Sequence, residues 1–213
     1  MAIAATVVKR EFFPSANPRV HLVENEQGLL PSPEWDDLLA AAIWDENAHT
    51  GTALLVELVD IECPFCQRFH VGPLRDIRQE FSGNLRVAYV HWPLGFHRFA
   101  RPGAEAAECA GQQGRFGAFL DAVFARQDSL GLKPWPAYAA EADVADLKAF
   151  DNCLAEPDRI SARIEAGVRL AGAAGFSGTP TILLNGWRFA QPPSADQLRA
   201  AITAVLEGRE PTL

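Results

Sequence analysis

Ala53-Leu54-Leu55-Val56-Glu57-Leu58-Val59-Asp60-Ile61-Glu62-Cys63-Pro64-Phe65-Cys66 decides the fold. Its first half is almost continuously apolar, the pattern of a strand buried on both faces of a sheet. Its end places two cysteines, two residues apart, where that strand gives way to a helix. Such a pair is a redox dithiol or half of a zinc site. Zinc needs two further ligands with their own close spacing. Cys109 and Cys153 are isolated and no second CxxC exists, which favours the redox reading and leaves a zinc-binding or metallochaperone domain as the alternative.

The chemistry follows from position. Cys63 sits at a helix start, where unsatisfied amides and the positive end of the dipole favour a negative group. Its thiol should therefore be acidic, within the range of about 3.5 to 7.5 for such motifs, and it should be the exposed nucleophile. Cys66, one turn on, should be more buried and should resolve a mixed disulfide. Asp60 and Glu62 lie close by and oppose the helix effect. Glu57 is the anomaly of the strand. A buried carboxyl there should have a raised pKa and could exchange a proton with Cys66. The alternatives are a solvent-facing acid or one paired with an arginine such as Arg86.

Outward from this stretch, Gln67 to Phe81 reads as helix with a kink or break at Gly72-Pro73. Leu85 to Trp92 is a second central strand. From Phe99 to Phe176 the period is helical, with core stripes Phe116, Phe119, Leu120, Val123 and Phe124, then Leu147, Phe150 and Leu154, then Ile160, Ile164, Val168 and Ala171. Thr181 to Leu184 and Trp187 to Ala190 flank Asn185-Gly186, a strong hairpin signal. Ser194 to Gln197 is a capping box opening a last helix that stops at Gly208. Upstream, Arg19 to Val23 is a plausible strand, Ser32-Pro33 opens a helix running to about Trp44, and Asn47 to Gly51 is a loop. The first strand, helix and strand require a parallel pair with a right-handed crossover.

The chain of 213 residues suits one domain with an insertion, and its formal charge of -8 argues against nucleic acid. No apolar run reaches the roughly 18 residues needed to span a bilayer. The N-terminus has no basic n-region, so the sequence reads as cytoplasmic if Met1 is native, or as extracytoplasmic if a signal was trimmed.

Cys-Pro-Phe-Cys after a buried strand, an all-helical block, and Gly178-Thr179-Pro180-Thr181 before an Asn-Gly hairpin resemble the DsbA-like thiol:disulfide oxidoreductases. The resemblance covers roughly residues 52 to 208. It implies an α/β thioredoxin-like fold: a mixed sheet flanked by helices, with an inserted all-helical subdomain. The divisions are an N-terminal extension at 1–50, a thioredoxin-like domain at 51–98 and 176–213, and an insert at 99–175. It implies catalysis by Cys63, Cys66 and Glu57, with Pro64, Phe65, Thr179 and Pro180 facing substrate. Pro180 would be the family's cis-proline, and Thr179 would pair with an extended substrate peptide. Phe65 stands where some strongly oxidising members carry His. Cys109 and Cys153 are either buried free thiols or, as in some branches of the family, a second disulfide. The implied activity is a disulfide oxidase on protein or peptide thiols. It would be a monomer, need no cofactor and be regenerated by a membrane quinone-linked partner. The alternatives are a reductase or isomerase, or a binding or chaperone module on the same fold.

Overall fold

The apolar run folds as β3 (Ala53–Val59), and every other element is placed by it. This computed structural model describes residues 28–46, 51–156, 158 and 160–213. Arg19 to Val23 and most of the 47–51 loop lie outside the described residues. β3 pairs in parallel with β4 (Leu85–His91) and antiparallel with β5 (Thr181–Leu184). β5 turns into β6 (Trp187–Phe189) through Asn185 and Gly186, whose φ values of 46° and 87° are the pair that a two-residue hairpin turn demands. Two short strands close the edges, β1 (Leu29–Pro31) on β6 and β2 (Ile43–Trp44) on β4. The order is β1-β6-β5-β3-β4-β2.

Period-two alternation sorts β3 between two layers. Val56 and Leu58 face Leu38 of α1 (Trp35–Ala41) and Ala171 of α8 (Ser161–Ala173). Leu55 and Val59 face the opposite core, and Glu57 shares their side. That core is made by α2 (Pro64–Phe69), α3 (Arg75–Glu80), α9 (Ala195–Leu206) and the helices between β4 and β5. The latter run as α4 (Ala100–Gly111), α5 (Phe116–Ala125), α6 (Trp135–Glu141) and α7 (Leu147–Leu154), followed by α8. The α5 stripe is buried as its spacing predicts. On α7 only Phe150 is fully buried, whereas Leu147 is 37% exposed, because that helix lies on the surface of the block.

Two expectations are corrected and a third is made specific. Residues 28–46 are not an appendage, because β1 and β2 complete both sheet edges. The first helix starts at Trp35, after a turn holding Ser32 and Pro33, and stops at Ala41. Ala42 turns extended, at ψ 152°, and leads into β2 rather than further helix. Strands of two and three residues carry no readable alternation; the unpaired edge of the sheet creates them. At Gly72-Pro73 the expected interruption of the α-helix takes the form of a π-helical segment, His70–Leu74, that joins α2 to α3. A π turn accommodates a proline that an α-helix resists.

The insert is tied to itself and to the dithiol turn. Cys109 of α4 and Cys153 of α7 form a disulfide, with Cα atoms 5.7 Å apart. A Cβ on Gly103 of α4 would stand 2.3 Å from the Cγ2 of Ile61, so glycine there lets the turn before Cys63 nest against the helix. Removing both thiols (C109A/C153A) frees a loop of 44 residues and should lower stability by about 3–4 kcal/mol. Urea denaturation of the double variant against wild type measures it.

Candidate active site

β3 ends at Val59, and a tight turn delivers Cys63 as the N-cap of α2 with Pro64 at the first helical position. Proline costs nothing there, since that amide has no intrahelical partner. The Cys63 amide donates to the Asp60 carbonyl at 3.1 Å. The buried Asp60 carboxylate accepts from the amides of Glu62 and Leu94, each at 2.8 Å, and meets His97 Nδ1 at 2.8 Å. Glu62 accepts from the Phe99 amide. The two acids that the sequence sets against a thiolate are thus turned to loop amides and pin the turn. Most of this use of Asp60 is invisible in sequence, because Leu94 and His97 lie more than thirty residues away.

The peptide bond Thr179–Pro180 is cis, and the loop it forms lies over Cys63. The Cys63 thiol donates to the Thr179 carbonyl at 3.3 Å. Cys63 is therefore 4% exposed and Cys66 fully buried, which corrects the expectation of an open nucleophile. The exposed surface belongs to Pro64 and to Phe65, 58% exposed with the Arg68 guanidinium 5.3 Å from its ring centre. Cys63 and Cys66 are both free thiols.

Three neighbouring groups are driven apart in acidity. Cys63 is lowered to about 5: the Cys66 thiol donating to it comes first, and with Thr179 and the amides of Cys66 and Phe65 it overcomes the burial that pushes the other way. Thr179 Oγ1 is buried and has no hydrogen-bond partner among the described residues, so it is a ready donor to a thiolate. Cys66 is pushed well up, chiefly by burial, then by the hydrogen bond it gives Cys63 and by the charges of Glu57 and Cys63. Glu57 is fully buried, and neither carboxyl oxygen has a hydrogen-bond partner among the described residues. Burial raises its pKa well above 4.5, the Arg78 charge opposes this, and the Cys63 charge adds to it. The arginine alternative fails at Arg86, whose guanidinium stacks 3.9 Å over Trp44.

The side chains of His70 and His91 are engaged with acids: the ring of each pairs with a carboxylate. His70 Nε2 lies 2.6 Å from Asp121, beside Arg78, in a groove of about 940 Å³ on the flank of the dithiol helix. His91 pairs with Glu108 at 3.0 Å. Among the described residues no cluster of three or more His, Cys, Asp or Glu is gathered to hold a metal. Gln127, in a 3-10 turn after α5, reaches the site where sequence gave no signal. Its Nε2 donates at 3.0 Å to the carbonyls of both Ile61 and Cys63.

With this geometry in place, comparison with known proteins is decisive on ancestry. The profile of the thioredoxin family matches residues 49–204. The chain belongs to the thioredoxin family. A thioredoxin-like oxidoreductase from Silicibacter pomeroyi superposes with a TM-score of 0.67 at 25% identity, covering 81% of this chain and 97% of that one. The thiol-disulfide exchange protein alpha-DsbA2 from Wolbachia pipientis gives 0.64 at 14% identity, over 81% and 91%. This thioredoxin-family chain therefore has the DsbA-like form of the fold, with a helical insertion between β4 and β5. Among curated proteins, the Na(+)/H(+) antiporter NhaA 1 of Salinispora arenicola is 36% identical over 155 residues, 72% of this chain but 23% of that protein. The chain thus spans about a quarter of the length of that relative. No helix of the described residues is long and apolar enough to cross a membrane.

Two outcomes test these acidities. Alkylation of the reduced protein by iodoacetamide should show a midpoint near pH 5 for Cys63, and T179V should move it upward by removing a donor to the thiolate. Glu57 holds its proton in the folded state above the pH at which the unfolded chain, near 4.5, releases it. The folded protein then binds the extra proton, so stability falls as pH rises, by about 1.4 kcal/mol per unit while that condition lasts. E57Q, which cannot ionise, should match wild type at pH 4 and exceed it at pH 8 in chemical denaturation.

Proposed function

We propose that the chain is a thiol:disulfide oxidoreductase that acts on protein or peptide thiols through a mixed disulfide on Cys63, working as an oxidase. What carries this reading is a pair of free cysteines one turn apart at the start of α2, with the Cys63 thiol 3.3 Å from the Thr179 carbonyl of the cis-proline loop; their acidities are split to match, Cys63 lowered to about 5 and Cys66 pushed well up. A low-pKa sulfur leaves readily as thiolate.

The reaction starts from the Cys63–Cys66 disulfide. A substrate thiolate attacks Cys63 Sγ; the new bond joins substrate to Cys63, and Cys66 departs with the electron pair. Cys66 cannot remain a thiolate in its buried place, so it takes a proton, and Glu57 is the acid in that core able to supply it. A second substrate thiolate then attacks the substrate sulfur of the mixed disulfide. The substrate disulfide forms and Cys63 leaves as a thiolate, stabilised by the N-terminus of α2 and by Thr179. Two electrons have passed to the dithiol, and an external disulfide- or quinone-linked oxidant must remove them. Substrate lies as an added strand along Thr179-Pro180, with Phe65 and Pro64 as its exposed contact surface.

Linkage supports the oxidase direction. Cys63 ionises at about 5 in the folded protein and near 9 when unfolded, so the reduced form gains stability as pH rises through that window. The disulfide form has no such term. A stabilised reduced form makes its disulfide oxidising.

At pH 7 the reduced protein should therefore melt above the oxidised one. Equilibration with glutathione should give a potential less negative than about -200 mV, and a value near -270 mV would instead assign a reductase. C63S should abolish oxidation of a dithiol peptide; full activity in that variant would sink the enzyme reading.

A further inference from the structure

Gln127 and Gln67 reach across the same gap in opposite directions. Gln67, on α2, sends its side-chain amide to the Phe124 carbonyl at the end of α5, at 2.8 Å. Gln127, three residues beyond Phe124, sends its own back to the Ile61 and Cys63 carbonyls, each at 3.0 Å. The Cys63 carbonyl also accepts the Gln67 backbone amide at 3.1 Å. The position of Gln127 is itself fixed: Tyr138 Oη donates to the Arg126 carbonyl at 3.2 Å, and the Leu130 amide donates to the Gln127 carbonyl at 3.1 Å.

This arrangement bears on the sulfur. A carbonyl oxygen carries partial negative charge, and that of Cys63 belongs to the very residue whose thiolate must form. Two donors on it, one from α2 and one from Gln127, offset that charge. They also hold the backbone of Cys63 at φ -69° and ψ 122°, the conformation that aims the amides of Phe65 and Cys66 at Sγ. The following residue, Pro64, has no amide hydrogen to help. The nearby charged groups on other elements are otherwise engaged or buried: Asp60 and Glu62 with loop amides, and Glu57 beneath.

We propose that Gln127 is a positioning residue for the exchange reaction: from the helical insert it clasps the carbonyls of Ile61 and Cys63 and so holds the dithiol turn in the geometry that stabilises the Cys63 thiolate. The inference rests on the oxidoreductase reading above. It also gives the insert a part in the chemistry besides covering the site.

The test uses the full chain. Q127L keeps the size and loses the donor; Q127E keeps the shape and turns an acceptor on two carbonyls. Both should raise the alkylation midpoint of Cys63, Q127E more. Q127L should slow reaction with iodoacetamide at pH 5 by about three- to tenfold, the scale of one or two hydrogen bonds. D146A, which loses the N-cap of α7 within the same insert, provides matched destabilisation and should leave the midpoint unmoved. Midpoints at the wild-type value in Q127L and Q127E, with only the melting temperature lowered, would overturn the proposal. If neither variant folds, wild-type NMR decides: the Gln127 side-chain amide protons should shift between the reduced and oxidised states, and redox-insensitive resonances would reject the clasp. Failure of the oxidoreductase reading is distinct, since wild type would then exchange no disulfide at all.

Discussion

Holding a negative sulfur at the first turn of α2 is the constraint that the proposed reaction sets on the rest of the site. Such a charge is costly in a nearly closed position, since Cys63 is almost fully covered. It is tolerable only because several donors converge on it. The Cys66 thiol, the amides of Phe65 and Cys66, and Thr179 come from two segments more than a hundred residues apart in sequence. The strand order explains how they meet. β3 is paired on one side with β4, which fixes the helix-bearing crossover, and on the other with β5, whose preceding loop carries Thr179-Pro180. The dithiol and the loop over it are thus anchored to the same central strand.

The long insertion between β4 and β5 does more than fill space. Ile61 nests at Gly103 of α4, Asp60 and Glu62 cap amides of residues 94 and 99, and Gln127 touches two carbonyls of the turn. These contacts all come from the chain after β4. The disulfide between α4 and α7 then holds the insert's own helices together. The turn before Cys63 is accordingly shaped from outside the strand that leads into it.

Much of this was legible in the sequence where the signal is local. The continuous apolar run of β3, the Asn185-Gly186 turn, the Ser194 capping box and the α5 stripe each depend on neighbours within a few residues. What stayed hidden depends on distant partners. Ile43–Trp44 is a strand only because β4 offers an edge, and Asp60 and Gln127 matter through partners brought to them by folding, the Leu94 amide and His97 ring for one and two carbonyls for the other. Position relative to the helix start also foretold that Cys63 would be acidic, but not that it would be covered. Coverage comes from the Thr179-Pro180 loop, and exposure is a property of what lies above a residue rather than of the residue itself.

The same burial couples proton to electron in the proposed reaction. Glu57 sits with no partner for its oxygens among the described residues, and the Cys63 charge is one of the influences holding its proton on. Oxidation to the Cys63–Cys66 disulfide removes that charge while leaving the burial and the Arg78 charge in place. The acidity of Glu57 must then rise on oxidation and fall on reduction. The change has the sign that catalysis needs. In the disulfide form Glu57 is a stronger acid, ready to protonate Cys66 as it is released. In the reduced form, with the thiolate above it, a protonated Glu57 is favoured again. A buried carboxyl is destabilising as a structural element, and under the proposed reaction this alternation would be a physical reason to place one beneath the dithiol.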